Sequence, residues 1–199
     1  DYSHDLMTDE AMGWITENKE KPMFLYLAYC IPHTKWQVPE LGEYADKDWP
    51  KEHFKIQAAM VSRMDRDIGR IKRLLEELGI ADNTLIMFNS DNGAHAQGGT
   101  REFFNTTGGL NKYKRWMNEG SLRSPTIAYW PGKVPANEIS EAGWYFADFL
   151  PTAAELAGVQ PPENIDGIGV AEALYAAKPP KRLARKLRDR FLYWEAVGK

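Results

Sequence analysis

Apolar positions recur along this chain with two different periods, and the alternation between them predicts its elements. Residues 8–19 read as a helix. Thr8 or Asp9 can cap it, and Ala11, Met12 and Ile15 give an apolar stripe. After Pro22 the run Met23-Phe24-Leu25-Tyr26-Leu27-Ala28-Tyr29 is continuously apolar, the pattern of a strand covered on both faces. A polar loop over 32–50 follows. The longest helix is predicted over 51–78, where Ile56, Met60, Met64, Ile68, Ile71, Leu75 and Leu78 recur in steps of three or four before Gly79 stops it. Asp82-Asn83 make a turn, and Leu85-Ile86-Met87-Phe88-Asn89 form a second buried strand. Strand, long helix and strand in that order predict a βαβ crossover with the two strands parallel.

Residues 93–119 are Gly-rich, polar and without period, which predicts a long loop of the kind that often carries function. A third strand is expected over 125–130, closed by Pro131-Gly132. A short helix is expected over 148–157, with Pro151 tolerated in its first turn and Gly158 at its end. The segment 178–190 is basic, and Phe191-Leu192-Tyr193-Trp194 reads as a further strand. The whole is an α/β fold with a mostly parallel sheet flanked by helices.

Composition narrows the function classes. The 199 residues are 43% hydrophobic and 27% charged, enough to bury a core. A formal net charge of −3 gives no whole-chain attraction to nucleic acid or to an anionic membrane. No apolar run is long enough to span a bilayer. The run 178–190 holds seven Lys or Arg and one Asp, but no interleaved aromatics for base stacking, so it reads as a solvated edge and not as a nucleic-acid interface. The single Cys30 excludes an internal disulfide and reads as a small core residue at a strand end. The opening Asp1-Tyr2-Ser3-His4-Asp5 has no initiating Met and no export signal, which predicts a chain beginning mid-protein.

Ligands of open parallel sheets bind beyond the C-terminal strand ends. There the sequence places His33 after Ile31-Pro32, then Ser90-Asp91-Asn92-Gly93-Ala94-His95, and in the long loop Lys114-Arg115. Asp91 and Asn92 are hard oxygen ligands suited to calcium or magnesium. Lys114, His33 and His95 are donors for a tetrahedral anion. Together they fit transfer of a sulfuryl or phosphoryl group, whose oxygens need their charge neutralised. Each signal has a plainer reading: Asp-Asn-Gly is foremost a turn, and a lone His or Lys is usually a surface residue.

Four stretches resemble the sulfatases, specifically the bacterial arylsulfatase-like group of the alkaline-phosphatase-like superfamily. They are Phe24 to Leu27 through Pro32-His33 to Pro39, then Ala58 to Val61 with Met64-Asp65 and Ser90 to Gly93. The third is Lys114-Arg115 through Glu119-Gly120, Arg123 and Trp130-Pro131-Gly132. The last is Asp148 with Pro151-Thr152, Glu155 to Gly158, Asp166-Gly167 and Tyr193-Trp194-Glu195.

The resemblance implies that Asp91 and Asn92 are calcium ligands, with magnesium as the substitute. It puts Lys114 on the sulfate. It makes His33 a sulfate contact and proton donor to the leaving oxygen, and His95 a substrate-side residue. Arg123 holds the loop, and Asp65 is structural, bonding backbone or a neighbouring cation. Residues 1–190 would be the C-terminal part of the catalytic α/β domain, and 191–199 the start of a small C-terminal subdomain. The substrate would be a sulfated small molecule or glycan, with the full-length protein periplasmic or extracellular. The family's nucleophile, a formylglycine made from Cys or Ser in C-x-P-x-R or S-x-P-x-R, has no counterpart: Cys30-Ile31-Pro32-His33-Thr34 has Thr in place of Arg. The chain alone would therefore turn over little, and a truncated sheet would leave apolar surface prone to self-association. Ser121, where a second Gly is usual, and Ser124, where Val is usual, are expected to shift the backbone near Lys114. A phosphodiesterase or phosphonate hydrolase of the same superfamily, and a non-catalytic module derived from the fold, are the alternatives.

Overall fold

The structure is a computed structural model that describes residues 1–195. It divides into two compact units that interleave in sequence: Asp1–Thr84 with Ala94–Gly109, and Leu85–Gly93 with the chain from Leu110 onward. Among the described residues no helix is long and apolar enough to cross a membrane.

In the first unit, helix α1 (Ser3–Asn18) packs against the long helix α2 (Glu52–Glu77), and a short helix, α3 (Thr100–Phe104), lies in the same unit. The reading of α2 holds within a residue. Gly79 takes φ 70°, and its N–H and that of Ile80 close the helix onto the carbonyls of Glu76 and Leu75, a left-handed C-terminal cap. Helix α1 starts five residues before the expected cap. Its buried stripe is His4, Thr8, Ala11 and Ile15, spaced as one helix face, and two of those four are polar. Thr8 does not cap; its hydroxyl donates to the His4 carbonyl and meets the Tyr29 hydroxyl at 2.7 Å.

Polar side chains fill the α1–α2 seam because Asp67 lies in it with no exposure at all. Arg66 grips both Asp67 oxygens at 2.8 and 2.9 Å, Arg70 Nη1 reaches Oδ1 at 3.3 Å, and His4 Nε2 lies 3.0 Å from Oδ2. Arg70 also binds Asp9, and Arg63 holds Asp5 with two bonds. Burial pushes the Asp67 carboxyl up, but the bonds from Arg66 and Arg70 outweigh it and hold the group below its ordinary value. Burial drives His4 below its ordinary value, and the neighbouring Asp67, which favours the charged ring, does not outweigh it. Asp65, expected to carry this structural role, is exposed on the helix instead.

The second unit contains the sheet and the helices α5 (Phe149–Ala157) and α6 (Lys181–Asp189). Strands β1 (Ile86–Asn89) and β2 (Thr126–Tyr129) lie where the sequence put them. They pair antiparallel, Ile86 opposite Tyr129 and Asn89 opposite Thr126, with a side-chain bond of 2.9 Å between the last two. The expected parallel partner is not a strand. Residues 23–29 are without regular structure, and Phe24, Leu25 and Tyr26 are 69, 40 and 81% exposed. An apolar run becomes a strand only when a neighbour takes up its backbone groups, and none does so among the described residues. Cys30 is accordingly exposed, not a core residue.

Gly158 ends α5 with φ 70°, and Pro151 sits buried in its first turn, both as expected. A second fully buried carboxylate, Asp148, organises the surroundings of α5. Its oxygens accept from the Tyr145 and Ile168 N–H groups and from Arg190 Nη1 at 2.6 Å. Arg190 also reaches the Gly143 carbonyl and lies over the Tyr145 ring. Thr152 ties the Asp148 carbonyl to the Val170 N–H. Val170, Ala173 and Leu183 form the adjoining core. The strand expected over 191–194 is absent: those residues lie outside regular structure, with Phe191 86% exposed. Residues 196–199 of the stretch assigned to a small subdomain lie outside the described residues.

Two outcomes follow. Arg190→Ala strands Asp148 uncompensated and is expected to destabilise by about 3–5 kcal/mol in urea unfolding, as for other broken buried pairs. In the second, stability measured against pH is flat between the ordinary histidine value of 6.5 and the tyrosine range, and declines as pH falls below 6.5, because the unfolded chain takes up a proton that buried His4 refuses. A further decline sets in below the ordinary carboxyl value of 3.8, where Asp5 and Asp67 must be protonated. His4→Gln is expected to remove the upper step and leave the lower one.

Candidate functional site

The two units each carry part of the predicted site. In the second unit, β1 ends at Asn89 and the chain turns through Ser90-Asp91-Asn92-Gly93. Ser90 Oγ donates to the Asn92 carbonyl, and Asn92 Nδ2 donates to the Gly93 carbonyl, which leaves Oδ1 as the amide's acceptor. Asp91 is exposed and Asn92 half-buried. The turn is fastened by Gly93, whose N–H donates to the Ser121 carbonyl at 2.7 Å. A Cβ on Gly93 would lie 2.2 Å from the Gly120 carbonyl oxygen, so no other residue fits here without moving backbone.

The loop that bears Lys114 is fastened to the same two residues from the other side. Gly120 N–H donates to the Asn111 carbonyl, and Ser121 Oγ donates to the Tyr113 carbonyl at 2.7 Å. A Cβ on Gly120 would sit 2.3 Å from the Lys112 carbonyl oxygen. Short helix α4 (Glu119–Leu122) thus acts as a clasp, with the Asp91-Asn92 turn on one side and the 111–115 loop on the other. Lys112 and Arg115 take φ of 63° and 81°, conformations that cost a side-chain-bearing residue energy and persist only where the surroundings impose them. Lys114, half-buried, is held between them. Ser121 lies in α4 and is not among the positive-φ residues, so the expected backbone shift does not arise there; its hydroxyl adds a bond that glycine lacks. Arg123 pairs with Glu119 across one turn of α4, a bond local to that helix.

In the first unit, exposed His33 donates from Nδ1 to the Thr34 carbonyl at 2.7 Å, which leaves Nε2 as its outward nitrogen. The Ile31–Pro32 and Thr34–Lys35 bonds flanking it are cis. Thr34 Oγ1 reaches Gln97 Oε1 at 3.4 Å, and the Gln97 N–H donates to His95 Nδ1 at 3.0 Å, so the structure brings the His33 and His95 turns together through Gln97. With Nδ1 accepting, neutral His95 carries its proton on Nε2, 3.5 Å from the Gln57 amide. Turning that amide places Oε1, otherwise buried without a partner, opposite the proton. Trp36 stacks on His53 at 4.9 Å and tilts against His95 at 5.6 Å. His53 Nε2 and Lys51 Nζ both bond the Gly98 carbonyl.

Trp36, His53, Gln57 and Gln97 were not singled out from the sequence. The legible signal was His53 and Gln57, two polar residues four apart on the face of α2 that otherwise buries Phe54 and Met60. Asp91 and Asn92 supply hard oxygens for a divalent cation, but calcium takes six to eight ligands. No group of three or more His, Cys, Asp or Glu is assembled to hold a metal among the described residues. The two donors are of the kind such an ion takes, and would fill only part of its shell.

The Sulfatase family model matches residues 1–159. Human steryl-sulfatase is 35% identical over 167 residues, 81% of this chain and 27% of that protein. The crystal structure of Ps i-CgsB superposes with TM-score 0.79 and 33% identity, over 89% of this chain and 39% of its own. A structure of BT4656 in complex with its substrate D-glucosamine-2-N,6-O-disulfate superposes with TM-score 0.52 and 30% identity, over 65% of this chain and 25% of its own. The chain spans about a third or less of the length of the curated relatives it matches.

The clasp generates its own test. Gly93→Ala and Gly120→Ala are each expected to lower stability by more than about 2 kcal/mol in urea unfolding, because backbone must move to admit the methyl group. Ser121→Ala removes one bond and is expected to cost about 1 kcal/mol.

Proposed function

The chain belongs to the sulfatase family, with the α/β fold of that group, and from this premise we propose that it supplies the metal-side and sulfate-side residues of a sulfate-ester hydrolase. Asp91 Oδ and Asn92 Oδ1 would hold part of the shell of calcium, or of magnesium in its place, and such a cation would supply neutralisation of the charge on the sulfate oxygens. Lys114 binds the sulfate as a point charge. His33, with its Nδ1–H committed to the Thr34 carbonyl, donates to the leaving oxygen from Nε2 in its doubly protonated form and is left as the neutral Nδ1–H tautomer. His95 stands on the substrate side, its ring fixed by Gln57 and Gln97.

The observation that supports this reading most is the shared clasp: one glycine-serine pair holds the Asp91-Asn92 turn and the strained loop of Lys114 in fixed register. A turn and a loop with no task in common have no reason to be locked to the same two residues. The nucleophile, a formylglycine in this family, has no counterpart in C-x-P-x-R or S-x-P-x-R context within the chain, so catalysis belongs to the full-length protein. We assign its substrates to sulfated glycans or sulfated small molecules, and its location to the periplasm or the extracellular space. The relatives point to both kinds of substrate: one is named for a steryl sulfate, another was solved with a disulfated glucosamine.

In the full-length protein, Lys114→Ala is expected to lower kcat/KM for an aryl sulfate at least about 100-fold, the usual effect of removing one preorganised donor from a developing anion. Unchanged turnover removes Lys114 from the site. Asp91→Asn is expected to weaken calcium binding about tenfold by calorimetric titration, a readout that needs no turnover; an identical isotherm removes the metal assignment.

A further inference from the structure

Helix α6 presents a concentration of positive charge unlike anything else in the chain. The segment 178–190 holds seven of the protein's 25 basic residues and one of its 28 acidic residues. The structure sorts them by face. Leu183, 5% exposed, and Leu187 pack into the core with Val170, Ala173, Trp144 and Ile168. Arg190 is drawn inward to Asp148. Lys181, Arg182, Arg185, Lys186 and Arg188 are all exposed, on the side away from those leucines. Lys181, Arg182, Arg185 and Lys186, with Asp189, line one open groove. The only acid on the helix, Asp189, is already bound by Arg188 at 2.8 Å and Arg185 at 3.5 Å. Lys181, Arg182 and Lys186 have no acidic partner among the described residues.

Like charges gathered at helical spacing repel one another by a few tenths of a kcal/mol per pair, so the face is a cost to α6 on its own. An anionic partner with charges repeated at about the 5–6 Å interval between successive turns turns that cost into attraction. We propose that the exposed face of α6 binds a sulfated polysaccharide chain, as a holding surface additional to the hydrolytic site. Three observations select this partner. The net charge of −3 gives no whole-chain attraction to a polyanion, so attachment has to come from a local gathering of cations such as this face. The apolar face of α6 is spent on the core, so nothing is left to enter a bilayer. No aromatic side chain lies within 178–190 to stack on a base. The choice of sulfate over other anions rests on the sulfatase reading, whereas attachment through the cations of α6 does not.

The test is fluorescence anisotropy of labelled heparin dodecasaccharide titrated with the chain at several salt concentrations. The wild type is expected to bind, with affinity falling steeply as salt rises. Arg182→Ala/Arg185→Ala/Lys186→Ala is expected to bind at least tenfold more weakly and with a shallower salt slope. It leaves Leu183, Leu187 and Arg190 untouched, and circular dichroism verifies that α6 persists. Asp189→Asn is expected to bind more tightly. The unsulfated polysaccharide of the same backbone is expected not to bind. Equal binding by the triple variant overturns the proposal, as does a single-stranded oligonucleotide of matched charge or a phosphatidylserine vesicle binding more tightly than the dodecasaccharide. None of these readouts depends on ester cleavage, so loss of the hydrolase reading and loss of this one are separate results.

Discussion

A carboxylate that reaches no water has to be met by donors on every side, and each unit of this chain is built round one. In the first unit Asp67 draws Arg66 and Arg70 inward and brings His4 against them, which fixes how α1 lies on α2. In the second Asp148 collects two backbone N–H groups and Arg190, and so joins residues 143–148, 168 and 190. The apolar cores are modest: among the described residues the buried apolar side chains are five alanines and six larger ones, Phe54, Met60 and Leu183 among them. Much of the specificity of the packing therefore rests on groups that are costly to leave unpaired, not on apolar area.

The site depends on a different constraint, the distance of closest approach between two backbones. Gly93 and Gly120 each bring a carbonyl oxygen to a position that a Cβ would occupy. This approach puts the Ser90–Gly93 turn and the 111–115 loop on the same support, and it makes the positive φ of Lys112 and Arg115 sustainable. A sulfate-binding lysine needs a fixed position more than a strong environment, since a point charge gains little if its stem is free to wander. On the other unit, the Gln57–His95–Gln97–Thr34 chain does the same for the histidines through hydrogen bonds and the flat face of Trp36.

The proposals for α6 and for the hydrolytic site share one physical theme. The chain is acidic overall, and two placements of its cations serve anions in these proposals: one under restraint at Lys114, and several gathered and exposed on α6. The first arrangement suits one anion held for reaction. The second suits a polymer held by many weak and exchangeable contacts.

Local signals were legible in the sequence wherever the chain's own neighbours decided the outcome. The period of α2, Gly79 and Gly158 at the helix ends, Pro151 in a first turn, and strands β1 and β2 all followed from pattern and backbone chemistry. The residue types at Asp91, Asn92 and Lys114, suited to a hard cation and an oxyanion, are legible there too, and their roles stand as the proposal made above. What depended on partners distant in sequence was not legible. The apolar run 23–29 has every local mark of a strand but no strand neighbour among the described residues, and β1 pairs antiparallel with β2 instead of parallel with it. Thr8 looked like a cap and is buried mid-helix, because Tyr29 waits across the fold. Asp67, not Asp65, is the structural carboxylate, since only packing decides which of two acids on one helix loses its water. Composition and period set what each segment can form, but burial and hydrogen-bond completion are properties of the assembled neighbours, and those exist only in the folded chain.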